Sequence, residues 1–249
     1  MDKILLFIRS TIFNLLFYGV TLFFCVLLLP LTFLPRRQMM GAVWIFVRSV
    51  HLIEKYVMGL DFEVRGRENL PQDKCFIVAS KHESPYETFK LHIILNDPAI
   101  ILKQELLRIP LWGRFLAKSD PIAIDRKKGL KSLKQIVDGA QRMKEQGRPI
   151  VIFPQGTRVY IHETPADKPY KPGVAQIHEA TGLPIIPLAL NTGVFWPRRS
   201  WIKHPGKVVF EFLPAVPDDL DSKGIMKDLE FRLEEKSAAL AREAQDKLI

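Results

Sequence analysis

The chain has 249 residues, enough for one sizeable α/β domain with an appendage, and it shows no internal repeat or low-complexity segment. Its two cysteines, Cys25 inside one apolar run and Cys75 at the start of another, suggest no disulfide framework and favour a reducing compartment. A net charge of +9 favours an anionic partner, whether a membrane surface, a phosphorylated substrate or a nucleic acid.

The first element narrows that choice. Residues 10–35 carry no charge and contain TIFNLLFYGVTLFFCVLLLPLTFL, a run longer than the roughly 20 apolar residues that cross a bilayer. No A-x-A-like site follows it, which disfavours a cleaved signal peptide. Lys3 and Arg9 flank it on one side and Arg36 and Arg37 on the other, so loop charge does not choose between one span and a re-entrant pair of helices. The next segment favours the pair. Arg37, Gly41, Trp44, Arg48, His51 and Lys55 recur at steps of four and three, a basic stripe opposite a broad apolar face. Such a helix suits a membrane interface, although the same pattern serves a helix packed on the protein's own core. The expected organisation is a membrane-anchoring helical hairpin over residues 1–58 and an α/β domain over 59–249.

Within that domain, short apolar runs at 62–64, 75–79, 99–102, 121–124, 149–153, 183–190 and 208–213 read as strands. Helical patterns lie between several of them, such as Leu130, Leu133, Ile136, Val137, Ala140 and Met143, with Gly147 marking a helix end. The charged stretch 222–247 predicts a peripheral C-terminal helix. Strands alternating with helices predict a mixed, largely parallel sheet flanked by helices.

Three motifs follow strand candidates. In KHESPYETFK, residues 81–90, His82-Glu83 begins like a zinc-binding HExxH helix, but Tyr86 occupies the second histidine position and Pro85 interrupts the turn. Ser84, Pro85 and Glu87 instead spell a helix start with a capping box. Two readings stay open here: Glu87 only caps the helix, or it also turns back toward the His82 imidazole. The second motif, PIAIDR, ends in Arg126 with Lys127, Lys128, Lys131 and Lys134 behind it. The third, VIFPQGTR, breaks at Pro154 into Gln155, Gly156, Thr157 and Arg158, where backbone N–H groups and a guanidinium can meet phosphate. Together they read as a base and a two-arginine phosphate site, for a substrate bearing both a hydroxyl and a phosphate.

The order HESPYE, IAIDR, FPQGTR and GLPIIPLALNTG, over about residues 62–212, resembles the four blocks of the glycerolipid acyltransferases, most closely the bacterial 1-acylglycerol-3-phosphate (lysophosphatidic acid) acyltransferases. The resemblance implies that His82 is a general base and Glu87 its orienter. It assigns Arg126 and Arg158 to the acceptor phosphate, with Gln155, Gly156, Thr157 and Lys103 in the same binding site. It further implies acyl-CoA or acyl carrier protein as donor, a lysophospholipid acceptor, and no cofactor or metal beyond these, since a thioester is already activated. Location on the cytoplasmic face of a bacterial inner membrane follows from the same likeness. Glu87 stands where the family usually has aspartate, one methylene shorter, and Gln155 replaces the usual glutamate with loss of a charge. FWPRRSWIKH suits an interfacial contact with Trp196 and Trp201 near lipid headgroups, and reads equally as a plain exposed loop.

Two other classes compete. A membrane-anchored lipid-binding or transfer protein fits the same basic cleft without turnover, and Gln155 supports it. A hydrolase would use Ser84 as nucleophile, but no G-x-S-x-G elbow is present. Nucleic-acid binding is disfavoured, because the basic residues accompany an apolar segment and no nucleic-acid module is recognisable.

Overall fold

The computed structural model describes residues 2–72 and 75–246, the side chains of Lys128 and Leu130 apart. Helix α1 (Lys3–Leu27) and helix α2 (Arg36–Ile53) are joined by a 3-10 turn at Leu29–Phe33. A π turn, Glu54–Met58, leads into strand β1 (Leu60–Arg65). There follow β2 (Ile77–Ser80), α3 (Tyr86–Ile94), β3 (Ala99–Lys103), α4 (Trp112–Lys118), β4 (Ile122–Ile124) and α5 (Leu130–Glu145). The chain continues through β5 (Ile150–Ile152), α6 (Gly173–Thr181), β6 (Ile185–Leu190), α7 (Thr192–Phe195), β7 (Gly206–Phe212) and α8 (Ser222–Asp246). Every predicted strand is present.

The strands form one seven-stranded sheet in the order β1-β7-β6-β2-β5-β3-β4. Its pairings are parallel except for β6 with β7, so the sheet is mixed and largely parallel, as expected. Both faces are covered, which is why the strands read as unbroken apolar runs. Ile77, Ala79, Ile150 and Ile152 point toward α5, α6 and α8. Val78, Val151, Ile186 and Leu188 point toward α1, α3 and α7.

Two expectations change. The C-terminal helix α8 is not peripheral: Leu229 and Leu233 are fully buried in the core on one sheet face, and Ser237 Oγ accepts from Leu190 N–H at 3.4 Å. A charged composition concealed a narrow apolar stripe that only the sheet could select. The end of the predicted stretch, Lys247, lies outside the described residues. Trp196 likewise faces inward, away from any headgroups. It is buried with edge contacts to Phe13 at 5.1 Å and Phe17 at 5.6 Å, while half-exposed Trp201 donates from Nε1 to Thr11 Oγ1 at 3.0 Å.

The apolar α1 has two faces of different use. Ser10, Phe13, Asn14 and Cys25 are buried. Asn14 accepts from Lys203 Nζ at 2.7 Å and donates to Trp201 O at 3.1 Å, which docks the helix on the loop before β7. The opposite face leaves Ile4, Leu15, Leu22 and Phe23 exposed, and α1 is long and apolar enough to cross a membrane. The basic stripe of α2 and the π turn after it divides. Arg48 lies 3.7 Å from the Trp44 ring centre, whereas Lys55 pairs with Asp61 of β1 at 2.8 Å.

A buried ion pair ties this hairpin to the sheet domain. Glu54, at the end of α2, meets Lys90 of α3, and both side chains are fully buried. Burial holds the Lys90 ammonium below its ordinary value, Glu54 opposes that shift, and the Tyr86 ring lies 4.5 Å from Nζ. Lys90→Met therefore strands a buried carboxylate and is expected to cost about 3–5 kcal/mol, whereas Lys90→Met combined with Glu54→Gln recovers much of that loss. Denaturant unfolding of the full chain in detergent measures both; equal losses would mean the pair does not join the two parts.

Candidate active site

Sequence places His82 two residues beyond β2, in a strand-to-helix connection, and the structure turns that connection around one carboxylate. Glu87 is fully buried. Its Oε1 accepts from Glu83 N–H and Ser84 N–H, each at 2.8 Å, and its Oε2 accepts from Ser84 N–H at 3.1 Å. The same Oε1 lies 2.7 Å from His82 Nδ1. Both readings of Glu87 thus hold at once: it caps α3 and it holds the imidazole. This contact engages Nδ1 and leaves Nε2 as the imidazole nitrogen turned away from the carboxylate. The ring is also stacked on Phe153 at 4.0 Å and 21°. Phe153 escaped the sequence reading, although an aromatic at a strand end was its available signal. Ser84 is buried as the cap, with Oγ accepting from Tyr86 N–H at 3.2 Å.

The third block closes on the first through Val159 N–H, which donates to His82 O at 2.8 Å. Its turn needs Gly156, whose φ is +68°. A Cβ there would stand 3.3 Å from Lys171 Nζ and 3.4 Å from Arg126 Nη1, so two cations crowd the turn. Lys171 had no sequence signal. Arg126 donates to Gly156 O, and burial holds its guanidinium below the ordinary arginine value.

His82, Lys103, Arg126, Gly156, Thr157 and Arg158 line a single cavity of about 640 Å³. Residues from three sequence blocks therefore meet at one mouth, at the C-terminal ends of the parallel strands, where open α/β sheets offer a crevice for ligands. From there the cavity runs back beneath the hairpin, between Phe17, Phe24, Phe46, Trp112 and Phe115, to Pro98 and Pro121 at the opposite ends of β3 and β4. Gln155 is placed elsewhere. It is buried, outside the cavity lining, and its Nε2 donates to Lys168 O at 3.1 Å. The amide serves a loop carbonyl that a carboxylate could not.

A family model described as Acyltransferase matches residues 61–191. The chain is 33% identical over 233 residues to a 1-acyl-sn-glycerol-3-phosphate acyltransferase of Pseudomonas aeruginosa, spanning 91% of this chain and 88% of that one. A protein of the same name from Saccharomyces cerevisiae is 26% identical, with 86% of this chain and 70% of that one covered. In fold, the crystal structure of the 1-acyl-sn-glycerophosphate acyltransferase from Thermotoga maritima superposes with a TM-score of 0.72 at 23% identity, covering 94% and 96% of the two chains. The chain belongs to the acyltransferase family, and it is a transferase enzyme. Its curated relatives act under the name 1-acyl-sn-glycerol-3-phosphate acyltransferase.

The buried cap separates a structural serine from a nucleophile. Ser84→Ala is expected to cost about 1 kcal/mol of stability with turnover nearly unchanged. Thermal melts beside an assay of thiol release check this, and loss of all turnover in a folded Ser84→Ala protein would restore the hydrolase reading.

Proposed function

We propose that this enzyme transfers a fatty acyl group from an acyl thioester, acyl-CoA or acyl carrier protein, to the sn-2 hydroxyl of lysophosphatidic acid, giving phosphatidic acid. The observation that carries the reading is the His82 Nδ1 to Glu87 Oε1 contact of 2.7 Å at the mouth of an apolar cavity. A hydroxyl is a weak nucleophile at neutral pH, and an oriented neutral imidazole is suited to take its proton. The acceptor oxygen attacks the thioester carbonyl carbon as its proton passes to His82 Nε2. The tetrahedral intermediate collapses with cleavage of the C–S bond, and the imidazolium returns the proton to the departing thiolate. In this reading the thioester supplies the activation, and no further cofactor enters the step.

Arg126 and Arg158 lie at the same mouth, with Lys103 at the exposed end of β3, and in this reading they receive the acceptor phosphate. Arginine suits that task because its planar fork holds two phosphate oxygens together. The apolar length of the cavity beneath α1 and α2 suits a hydrocarbon chain. Residues 1–58 act as the membrane anchor in this proposal. Their outer face exposes many apolar residues beside the basic Arg37 and Arg48, while their inner face walls the cavity, which suits a hairpin seated in one leaflet on the cytoplasmic side of a bacterial inner membrane.

Replacing the base tests the chemistry. His82→Ala is expected to lower turnover about 10²–10⁴-fold with the fold intact, and near-wild-type thiol release by that variant would end the mechanism. The phosphate assignment needs a comparison of acceptors. Arg158→Ala should depress kcat/KM for lysophosphatidic acid far more than for monoacylglycerol, with Arg158→Lys intermediate. Equal fractional losses for both acceptors would assign Arg158 to the fold or to the donor.

A further inference from the structure

The fourth block, GLPIIPLALNTG, has no part in the chemistry described so far. Its final glycine does touch the first block. Gly193 N–H, in α7, donates to Glu83 Oε2 at 2.8 Å, a contact between residues 110 positions apart. Glu83 stands between His82 and Ser84 and is only 3% exposed. The approach depends on the missing side chain: a Cβ at Gly193 would sit 3.0 Å from Glu83 Oε2 and 2.8 Å from Ile161 Cγ2. Neither end of the contact is loose. Asn191 donates to Leu240 O of α8 at 3.0 Å and accepts from Val209 N–H of β7 at 2.9 Å. The donor is thus anchored by a sheet strand and a core helix.

We propose that Glu83 is a positioning residue, held by Gly193 N–H so that the loop carrying His82 keeps its imidazole in line with Glu87, and that this contact is what the fourth block contributes to catalysis. The inference rests on His82 being the general base. Misplacing a catalytic group by about 1 Å can cost on the order of 10²-fold in rate, so a fixed loop backbone matters as much as the base itself.

The surrounding charges fit a neutral side chain. Lys81, Glu87 and Glu234 face Glu83, and Lys81 is already paired with Glu234, which also accepts from Tyr170 OH at 2.8 Å. Burial pushes the Glu83 carboxyl up to about 8; Gly193 N–H and Lys81 oppose this, and Glu87 and Glu234 add to it. At neutral pH Glu83 therefore accepts the Gly193 N–H without placing a second charge beside Glu87. Because the folded state keeps the proton, stability falls as pH rises from about 4.5 to about 8 and then levels off. Above pH 8 the ionised group faces Lys81, a cation already paired with Glu234, and the His82 loop is expected to loosen.

Glu83→Gln keeps an acceptor oxygen and never ionises, so it separates position from charge. Glu83→Ala and Gly193→Ala are each expected to lower kcat about 10- to 100-fold with KM within about threefold. The double variant should be no worse than the poorer single one, because both remove one contact. Glu83→Gln should recover most of what Glu83→Ala loses and should lack the decline in activity expected of the wild type above about pH 8. A readout independent of turnover is the rate at which diethyl pyrocarbonate modifies His82, followed by mass spectrometry on the full chain in detergent. That rate should rise in Glu83→Ala and return in Glu83→Gln. Multiplying losses in the double variant, a glutamine variant as poor as alanine, or equal modification rates in wild type and Glu83→Ala would each overturn the proposal. If His82→Ala itself retains turnover, the general-base reading fails, while the modification rates still report on the loop.

Discussion

A carboxylate with no access to solvent must find partners within the protein, and at Glu87 that requirement builds the site. Three hydrogen bonds from two backbone N–H groups and one imidazole contact converge on its two oxygens. The backbone bonds bend the chain between β2 and α3 and start the helix, while the imidazole contact orients His82. Because a buried carboxylate deprived of its partners is costly, the loop has little freedom to adopt another shape. Capping of the helix and orientation of the imidazole are one interaction here. The longer glutamate side chain reaches both sets of partners, so the departure from the family's usual aspartate is accommodated locally.

The N-terminal hairpin forms part of the enzyme's interior as well as presenting exposed apolar residues. Phe17 and Phe46 each contact Phe89 of α3, at 5.7 Å and 6.0 Å, and Phe46 also contacts Trp112 of α4 at 5.6 Å. These aromatic contacts roof the cavity that opens at His82. Apolar residues therefore surround α1: one set lines protein and cavity, the other faces outward. Such a helix gives the same hydropathy signal as a simple span, and only its packing partners distinguish the two. Arg36 reinforces the attachment at the start of α2 through a bidentate pair with Asp97, one of whose contacts is 2.8 Å.

Polar residues within apolar segments mark where these elements dock. Ser10 and Asn14 sit one helical turn apart on α1, and both bond to the segment around Lys203. Burial holds the Lys203 ammonium down at about 8, yet Asn14 Oδ1 and two backbone carbonyls satisfy its protons. Aromatic neighbours complete the enclosure, since Nζ lies 5.4 Å from the Trp196 ring centre and 5.9 Å from that of Phe13. The basic-aromatic loop thus spends its tryptophan and lysine inward, on the hairpin, and leaves Trp201 at the surface.

The sequence by itself determined the seven strands, the start of α3 at Ser84 to Glu87, the pairing of His82 with Glu87 as one of two open readings, and the basic residues that meet at the cavity mouth. These are local signals: apolar runs, caps and short motifs whose meaning depends on near neighbours in the chain. Tertiary structure decided what depends on distant ones. It turned Gln155 toward Lys168, stacked Phe153 on the His82 ring and set Lys171 beside Gly156. It buried Trp196 and one face of α8, and it set Glu83 against Gly193 across the fold. The physical reason is that composition fixes how much a side chain gains by burial, whereas the direction in which it is buried belongs to whatever surface the rest of the chain places beside it.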